Sequence, residues 1–359
     1  MKEAIKKRQR MYEVKLPTKQ EEWLIEKIRD QTMEMNINNV TRTKAYLDVY
    51  QLYPNIHWAF LGHMVSRNGG WNMTDLKGEL LSRLLSEKEK QSFFTFLERG
   101  NWLIFQDVYP QFLLYQESLK INQPLFHLFP YFNISIFMEA VWNEFWEHQN
   151  EYILAIALII NEQHYLEQRV IQHPLYKKEV LKTLEFKLQD LLSFNQILFP
   201  YWSDGMMHVI GQTLHRFGSL HERILLGKRL YKILFQNSDT LRLIERWADV
   251  QPHTGSRKDY WPNVFNNIHE GLPGKSYQLR LKSCMLKPGA TRIYSPALEH
   301  VWKNVKQPDA EKGDWFKDFH VFHYFAELEE EINGEIFNEY CKTLERLELA
   351  ALAKKAISL

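Results

Sequence analysis

Apolar residues recur at helical spacing over most of this chain. After Ser219, for example, Leu220, Ile224, Tyr231 and Leu234 trace one face of a helix. Reading the same period along the whole sequence predicts helices over 19–34, 41–53, 55–67, 74–85, 87–98, 101–119, 134–148, 151–171, 175–196, 206–216, 220–236 and 239–249, and again over 296–306, 316–332 and 335–356. Thr18 with Glu21, Ser86 with Glu89 and Ser219 with Glu222 have the spacing of a capping box. Pro54, Pro174 and Pro296 each stand before an apolar pattern, where a first helical turn needs no N–H. Pro110 falls inside a helical pattern and is expected to kink or divide it.

Period-two alternation is scarce. Its best instance is Tyr277 to Leu281, with Gly271, Pro273 and Gly274 before it and Pro288 and Gly289 after it. The expected fold is therefore all-α, a large multi-helix bundle-like arrangement with at most one small β-hairpin near 277–295. Residues 1–15 form a basic N-terminal segment and 16–250 the main helical domain. Residues 251–295 make an irregular excursion that keeps Tyr260, Trp261, Phe265 and Tyr277 and so reads as ordered. Residues 296–359 supply C-terminal helices packed on the main domain.

Composition narrows the function classes. The 359 residues are 45% hydrophobic and 14% aromatic, enough for a substantial interior. Lys plus Arg is 45 and Asp plus Glu 44, so no global field draws the chain to nucleic acid or an anionic membrane. The longest clean apolar run, Tyr152 to Ile160, is too short to span a bilayer as a helix. Cys284 and Cys341 are far apart and share no motif, which is the pattern of free thiols in a reducing compartment. With no visible signal peptide, the expected location is the cytoplasm.

Local signatures of known chemistry are missing. There is no His-Glu-x-x-His, no paired Glu-x-x-His, no Cys-x-x-Cys, no phosphate-cradling glycine loop and no Gly-x-Ser-x-Gly elbow. No metal and no cofactor are implied. Glu144 with His148, His208 with His215, and His320 with His323 could each share a helix face. Two ligands do not make a metal site, so ion pairs or tolerated histidines are the preferred reading.

Polar residues inside apolar patterns are the unusual feature. The helix predicted from Asn55 is apolar on nearly every face, yet it carries His57, His63 and Arg67. Gly69 or Gly70 is expected to end it in a left-handed cap. Asn72 or Thr74 would then cap the next helix, with Asp75 near its positive end. That leaves Arg67, His63 and Trp71 for a polar network or a pocket wall. Glu162 continues the stripe Ala155, Ile159, Glu162, Leu166, Arg169 and should be buried. Pairing with Arg42, Arg67 or Arg169 is its expected remedy. Gln106 and Asp107 sit in another apolar helix and His164 follows Glu162 closely. In the loop from His253, Ser256, Arg257 and Tyr260 could hold an anion or simply form a packed turn.

The strings TRTKAYLDVY, HWAFLGHMVSRNGGWNMTDLKG, NWLIFQDVYPQ, NEQHYLEQRV and HTGSRKDYWP resemble the YppC-like proteins of Bacillus and related Firmicutes, from about Asn36 to the last helices. The resemblance implies a cytoplasmic bacterial protein of unknown function and carries no catalytic residues with it. The leading functional reading is an internal polar pocket for a small or anionic ligand. Arg67, Asn68, Trp71 and Asn72 would form one wall, with Glu162 and His164 opposite. The alternative is an interaction or scaffold protein whose polar residues only fix helix packing. Third is nucleic-acid association through the basic segment Lys2 to Arg10, which is not favoured.

Overall fold

A helix apolar on most faces has to be surrounded, and the chain is built around one such helix. The computed structural model describes residues 1–10, 16–177, 180, 195–271 and 277–357. The central helix is α4 (His57–Asp75), reached through α1 (Lys2–Arg10), α2 (Lys19–Met35) and α3 (Asn39–Leu52). A short α5 (Leu81–Leu84) leads to α6 (Glu87–Ile121), followed by α7 (Ile136–His148) and α8 (Glu151–Leu166). One further turn, α9 (Pro174–Tyr176), precedes an antiparallel hairpin of β1 (Gln196–Ser203) and β2 (Met206–Thr213). Then come α10 (Leu220–Phe235) and α11 (Ser238–Val250). α3, α6, α8, α10 and β1 all pack on α4.

Between α11 and the last helix the described residues hold only short pieces. β3 (Phe265–Asn266) pairs in parallel with β6 (Ile293–Tyr294), and β4 (Leu281–Lys282) forms a small hairpin with β5 (Met285–Leu286). After α12 (Leu298–Val301) the chain runs irregularly to a 3₁₀ segment at Phe319–Phe325, and α13 (Phe337–Ile357) closes the fold. The protein is mostly helical, as the periodicity predicts, with the small hairpin in the expected stretch.

The capping signals hold. Thr18–Glu21 and Ser86–Glu89 form reciprocal boxes, and the Ser219 hydroxyl accepts from Glu222 N–H. Other local readings do not. Gly69 and Gly70 do not end a helix: α4 runs straight through them, so Asn72 and Thr74 cap nothing and Asp75 lies at a helix C-terminus. Gly70 answers a tertiary demand instead. A Cβ there would come within 2.7 Å of His253 and press on the Asn39 amide, so only glycine lets α3 and the 251–259 loop close on α4.

Likewise 87–98 and 101–119 are one helix, α6, which passes through Gly100 and Pro110. Residues 206–216, expected as a helix, hold β2. The helix expected over 175–196 falls largely on 178–179 and 181–194, outside the described residues, and its last residue, Gln196, opens β1. The helices expected at 296–306 and 316–332 shrink to α12 and the 3₁₀ segment.

The free thiols are a correction of another kind. Cys284 and Cys341 form a disulfide, with Cα atoms 5.2 Å apart across 57 residues of sequence. The turn of the β4–β5 hairpin lies beside α13, where Glu345 accepts from Ser283 N–H and Glu348 from Arg280 and Leu281 N–H. Sequence spacing held no trace of that proximity, and the argument from free thiols to a reducing compartment falls with it. Among the described residues no helix is long and apolar enough to cross a membrane.

Two expectations follow. Gly70→Ala gains helix propensity yet breaks the buried 2.8 Å contact between Asn39 and His253, so it should lower unfolding stability by about 1–3 kcal/mol. Gly100→Ala, in α6, meets nothing nearer than Leu166 at 3.8 Å and should raise it by about 0.5–1 kcal/mol. Equal effects in urea titrations would contradict the packing at both sites. Separately, non-reducing peptide mapping should recover Cys284 and Cys341 in one crosslinked species. The Cys284→Ser, Cys341→Ser double variant should then unfold about 2–4 kcal/mol more easily.

Candidate functional site

α4 presents two faces with different fates. On one, most polar side chains meet a partner at short range. Arg67 donates to the carbonyls of Gln251 (2.9 Å) and Pro252 (3.0 Å) and lies 4.4 Å over the Trp247 ring. His63 Nδ1 meets Thr43 O at 2.8 Å, and burial pushes this imidazole down to about 3, so it is neutral. Thr74 donates to Gly255 O. Asp75 accepts from Arg257 Nε at 2.5 Å, and Arg257 lies 3.8 Å over the Trp71 ring and donates to the Tyr340 hydroxyl. Trp71 in turn stacks on Tyr260. Here the structure brings Arg67, His63, Trp71, Asp75, His253, Arg257 and Tyr260 together as one connected cluster, in which His63 Nε2, Arg67 Nε, Trp71 Nε1 and His253 Nδ1 are buried without a hydrogen-bond partner. Ser256 belongs to its rim, donating to Ser295 O. His253, beside Asn39, is held well below its ordinary value first by burial and then by the charge of Arg67. The anion site expected in the 253–260 loop is thus taken up by Asp75.

The other face of α4 borders a cavity of about 240 Å³. Trp58, Leu61, Gly62, Val65, Gly69 and Asn72 form its α4 wall. Leu97, Gly100, Asn101 and Ile104 contribute from α6, and Ile159, Glu162, Gln163 and Leu166 from α8. Leu226, Gly227 and Leu230 of α10 and Ile197 of β1 complete it. The lining is mainly apolar.

Of the residues expected in a pocket, Arg42, Asn68, Asn72 and Glu162 reach this cavity. Arg42 is already held by Glu98 through contacts of 2.6 and 3.0 Å. The Asn68 amide is fixed by Leu198 N–H and by the carbonyls of Met64 and Leu198.

Glu162 does not meet an arginine as expected. Arg42 and Arg67 are engaged as described, and Arg169 donates to the carbonyls of Glu311 and Gly313. Instead the Glu162 carboxylate accepts from Gln163 Nε2 at 2.8 Å. Burial raises its pKa to about 7, while hydrogen bonds from Trp58 and Gln163 and the charge of Arg223 pull the other way. Arg223 itself is tied to Gln163, Glu167 and Phe217 O.

The remaining expected residues stand elsewhere. His57 stacks on Phe235 and touches the Tyr231 hydroxyl and Glu151. Gln106 accepts from Asn36 at 3.5 Å. His164 stacks on Trp315, with burial lowering it to about 4. His208 lies on β2, so it shares no helix face with His215.

Asp107 heads a separate buried chain. Its Oδ2 accepts from Asn161 Nδ2 (2.5 Å) and Gln111 Nε2 (3.1 Å). Gln111 accepts from the Trp142 indole, and Asn161 from that of Trp315. Sequence reading missed Trp58, Gln163, Arg223 and Asn101 as cavity residues. Asn101 opens NWLIFQDVYPQ, and Gln163 directly follows Glu162, so both were within reach. Nothing local marks Arg223.

Fold and cavity together define a mostly helical protein with a largely apolar pocket between its helices. Over residues 34–339 the chain matches the family described as "Protein of unknown function (DUF2515)", and it belongs to that family. It is 44% identical over 294 residues to the uncharacterized protein YppC of Bacillus subtilis (strain 168), covering 82% of this chain and 83% of that one. No solved structure matches it.

Asp107 yields a pH expectation. Burial raises its pKa from 3.8 to about 7, against the pull of the Asn161 hydrogen bond and the Arg169 charge. Between those values the folded state binds more protons than the unfolded one, so this group makes stability fall as pH rises through the window and adds no slope above it. Neutral His63 and His253 act in the opposite sense below about 6.5. The comparison with Asp107→Asn isolates the carboxyl. From about pH 4 to about pH 7 the variant should gain more than about 1 kcal/mol relative to the parent. A constant offset across that range would show that Asp107 titrates normally.

Proposed function

We propose that this protein binds a mainly apolar, uncharged small molecule inside the cavity between α4, α6, α8 and α10. The carrying observation is the size and apolar lining of that cavity. Most of the surface that lines it is apolar, and an occupant that covered that surface would remove it from water at about 25 cal/mol per Å².

An anionic occupant fits less well. Arg42, bordering the cavity, already holds Glu98, and Arg223 already holds Glu167. Glu162, with a pKa near 7, would carry part of a negative charge beside the ligand. The scaffold reading accounts for the polar cluster around Arg67 but gives the cavity no purpose. Nucleic-acid association gains nothing from α1, whose Arg8 pairs with Glu139 and whose Met1 amino group pairs with Glu144.

Gly100→Leu tests the proposal, because that side chain would grow into the cavity. A thermal-shift panel of neutral apolar compounds should raise the Tm of the parent protein and leave the variant unmoved. The variant itself should melt at or above the parent temperature. A panel that moves both equally, or neither, would sink the reading.

A further inference from the structure

One ionisable group interrupts the apolar wall of the cavity with no cation to meet it. Glu162 lies on the inner stripe of α8 with Ile159 and Leu166, and all three line the cavity. Its side chain keeps part of its surface accessible, and neither carboxylate oxygen is buried without a partner. Gln163 donates to Oε1, and the Trp58 indole lies beside the group. A carboxylate has room for about four donors. The ionised form therefore needs water in the cavity for the rest of its solvation.

Among the described residues, no neighbouring element brings a free charge to Glu162. α10 brings Arg223, which is tied to Gln163, Glu167 and Phe217 O. α3 brings Arg42, held by Glu98, and Tyr46. The Tyr46 hydroxyl is pushed up first by burial and then by the Glu162 charge, so it stays protonated. α4, α6 and β1 line the cavity with no titratable side chain. Glu167, just past α8, is the carboxylate that Arg223 already holds.

An apolar molecule entering this space displaces the water and offers no donor in its place. An unpaired carboxylate facing such a molecule is far less favourable than a neutral carboxyl. Burial raises this group to about 7 in the free protein, so near neutral pH the proton is added at little cost. Resting on the binding reading above, we infer that the cavity takes up its apolar ligand together with one proton on Glu162, and releases both as the pH rises. The free protein gives up this proton as the pH passes about 7, while the occupied protein keeps it to higher pH. Affinity is therefore full below that value and falls above it by up to about ten-fold per pH unit.

Three neutral compounds of different shape serve as probes: 1-adamantanol, naphthalene and 2-undecanone. The cationic 1-adamantylamine is the counterpart of the first. Affinities are read by isothermal titration on the full chain and on Glu162→Gln, at about pH 6 and about pH 8.5. In the parent, the neutral probes that bind should lose about ten-fold or more in affinity at the higher pH. At about pH 8 the heat should vary with the ionisation enthalpy of the buffer, as uptake of close to one proton requires. In Glu162→Gln the two affinities should agree within about two-fold. The buffer-dependent heat needs only the parent protein, so it decides the matter even where the variant fails to fold. Equal affinities at both pH values, with no buffer-dependent heat, would overturn the proton linkage and leave the binding reading standing. A pH dependence that survives in Glu162→Gln would overturn the role of Glu162. Adamantylamine binding more tightly than adamantanol would overturn it as well, because the carboxylate would then act ionised, as a counter-ion. If no neutral probe binds at about pH 6, the binding reading falls too.

Discussion

A helix buried on every side cannot leave its polar groups to water. α4 is that helix, and the rest of the molecule is arranged to answer it. His63 is met by α3, Asn68 by β1, Arg67 by the carbonyls that follow α11, and Asp75 by Arg257. Each contact fixes an element that has little other reason to be where it is. The 251–259 loop, poor in regular structure, is held by Arg67, by Thr74 and by the Asn39–His253 contact. Removing one partner from such a network strands the other inside, at a cost far above the net value of the bond. The 251–259 loop is consequently tied to the helix it covers.

The same constraint explains why so few charges remain available. A guanidinium has five N–H donors in a planar fork, and inside a protein they need oxygen atoms. Arg67 and Arg169 take backbone carbonyls at irregular segments, where no helix or sheet claims those oxygens. Arg42 and Arg257 take carboxylates. Positive charge is thereby spent on holding segments together. Carboxylates on apolar stripes then have to be met by amides, indoles or protons.

Much of this was legible in the sequence and some was misread. The helical period gave most helices, and the capping boxes marked true starts at Ser86 and Thr18. Gly-Gly followed by Asn and Thr looked like a stop and a restart because both signals are local. The demand met by Gly70 comes from Asn39 and His253, which sequence distance hides. The β1–β2 hairpin was within reach. Asp204 and Gly205 both have positive φ, as an Asp-Gly turn between apolar segments requires, whereas the helical reading of 206–216 passes over that turn. The cavity residues on that hairpin were lost with it. Arg42 and Arg67 were rightly placed inside, but residue type alone cannot say whether a buried arginine meets a carboxylate or a carbonyl.

Asp107 and Glu162 show how far such a signal reaches. Both are carboxylates on apolar helical stripes, and burial lifts both to about 7. Their surroundings make them different groups. Asp107 is buried away from the cavity, and the amides that meet it are themselves held by the Trp142 and Trp315 indoles. A proton arriving there changes stability without changing the cavity wall. Glu162 borders open volume, so its protonation state also sets the character of that wall: neutral, it tolerates an apolar neighbour, and ionised, it would lose hydration to one. The stripe in the sequence locates the carboxylate. Whether that carboxylate is part of the frame or part of a binding surface is decided by empty space, which arises from glycines and side-chain sizes on four separate elements and has no local signature in any one of them.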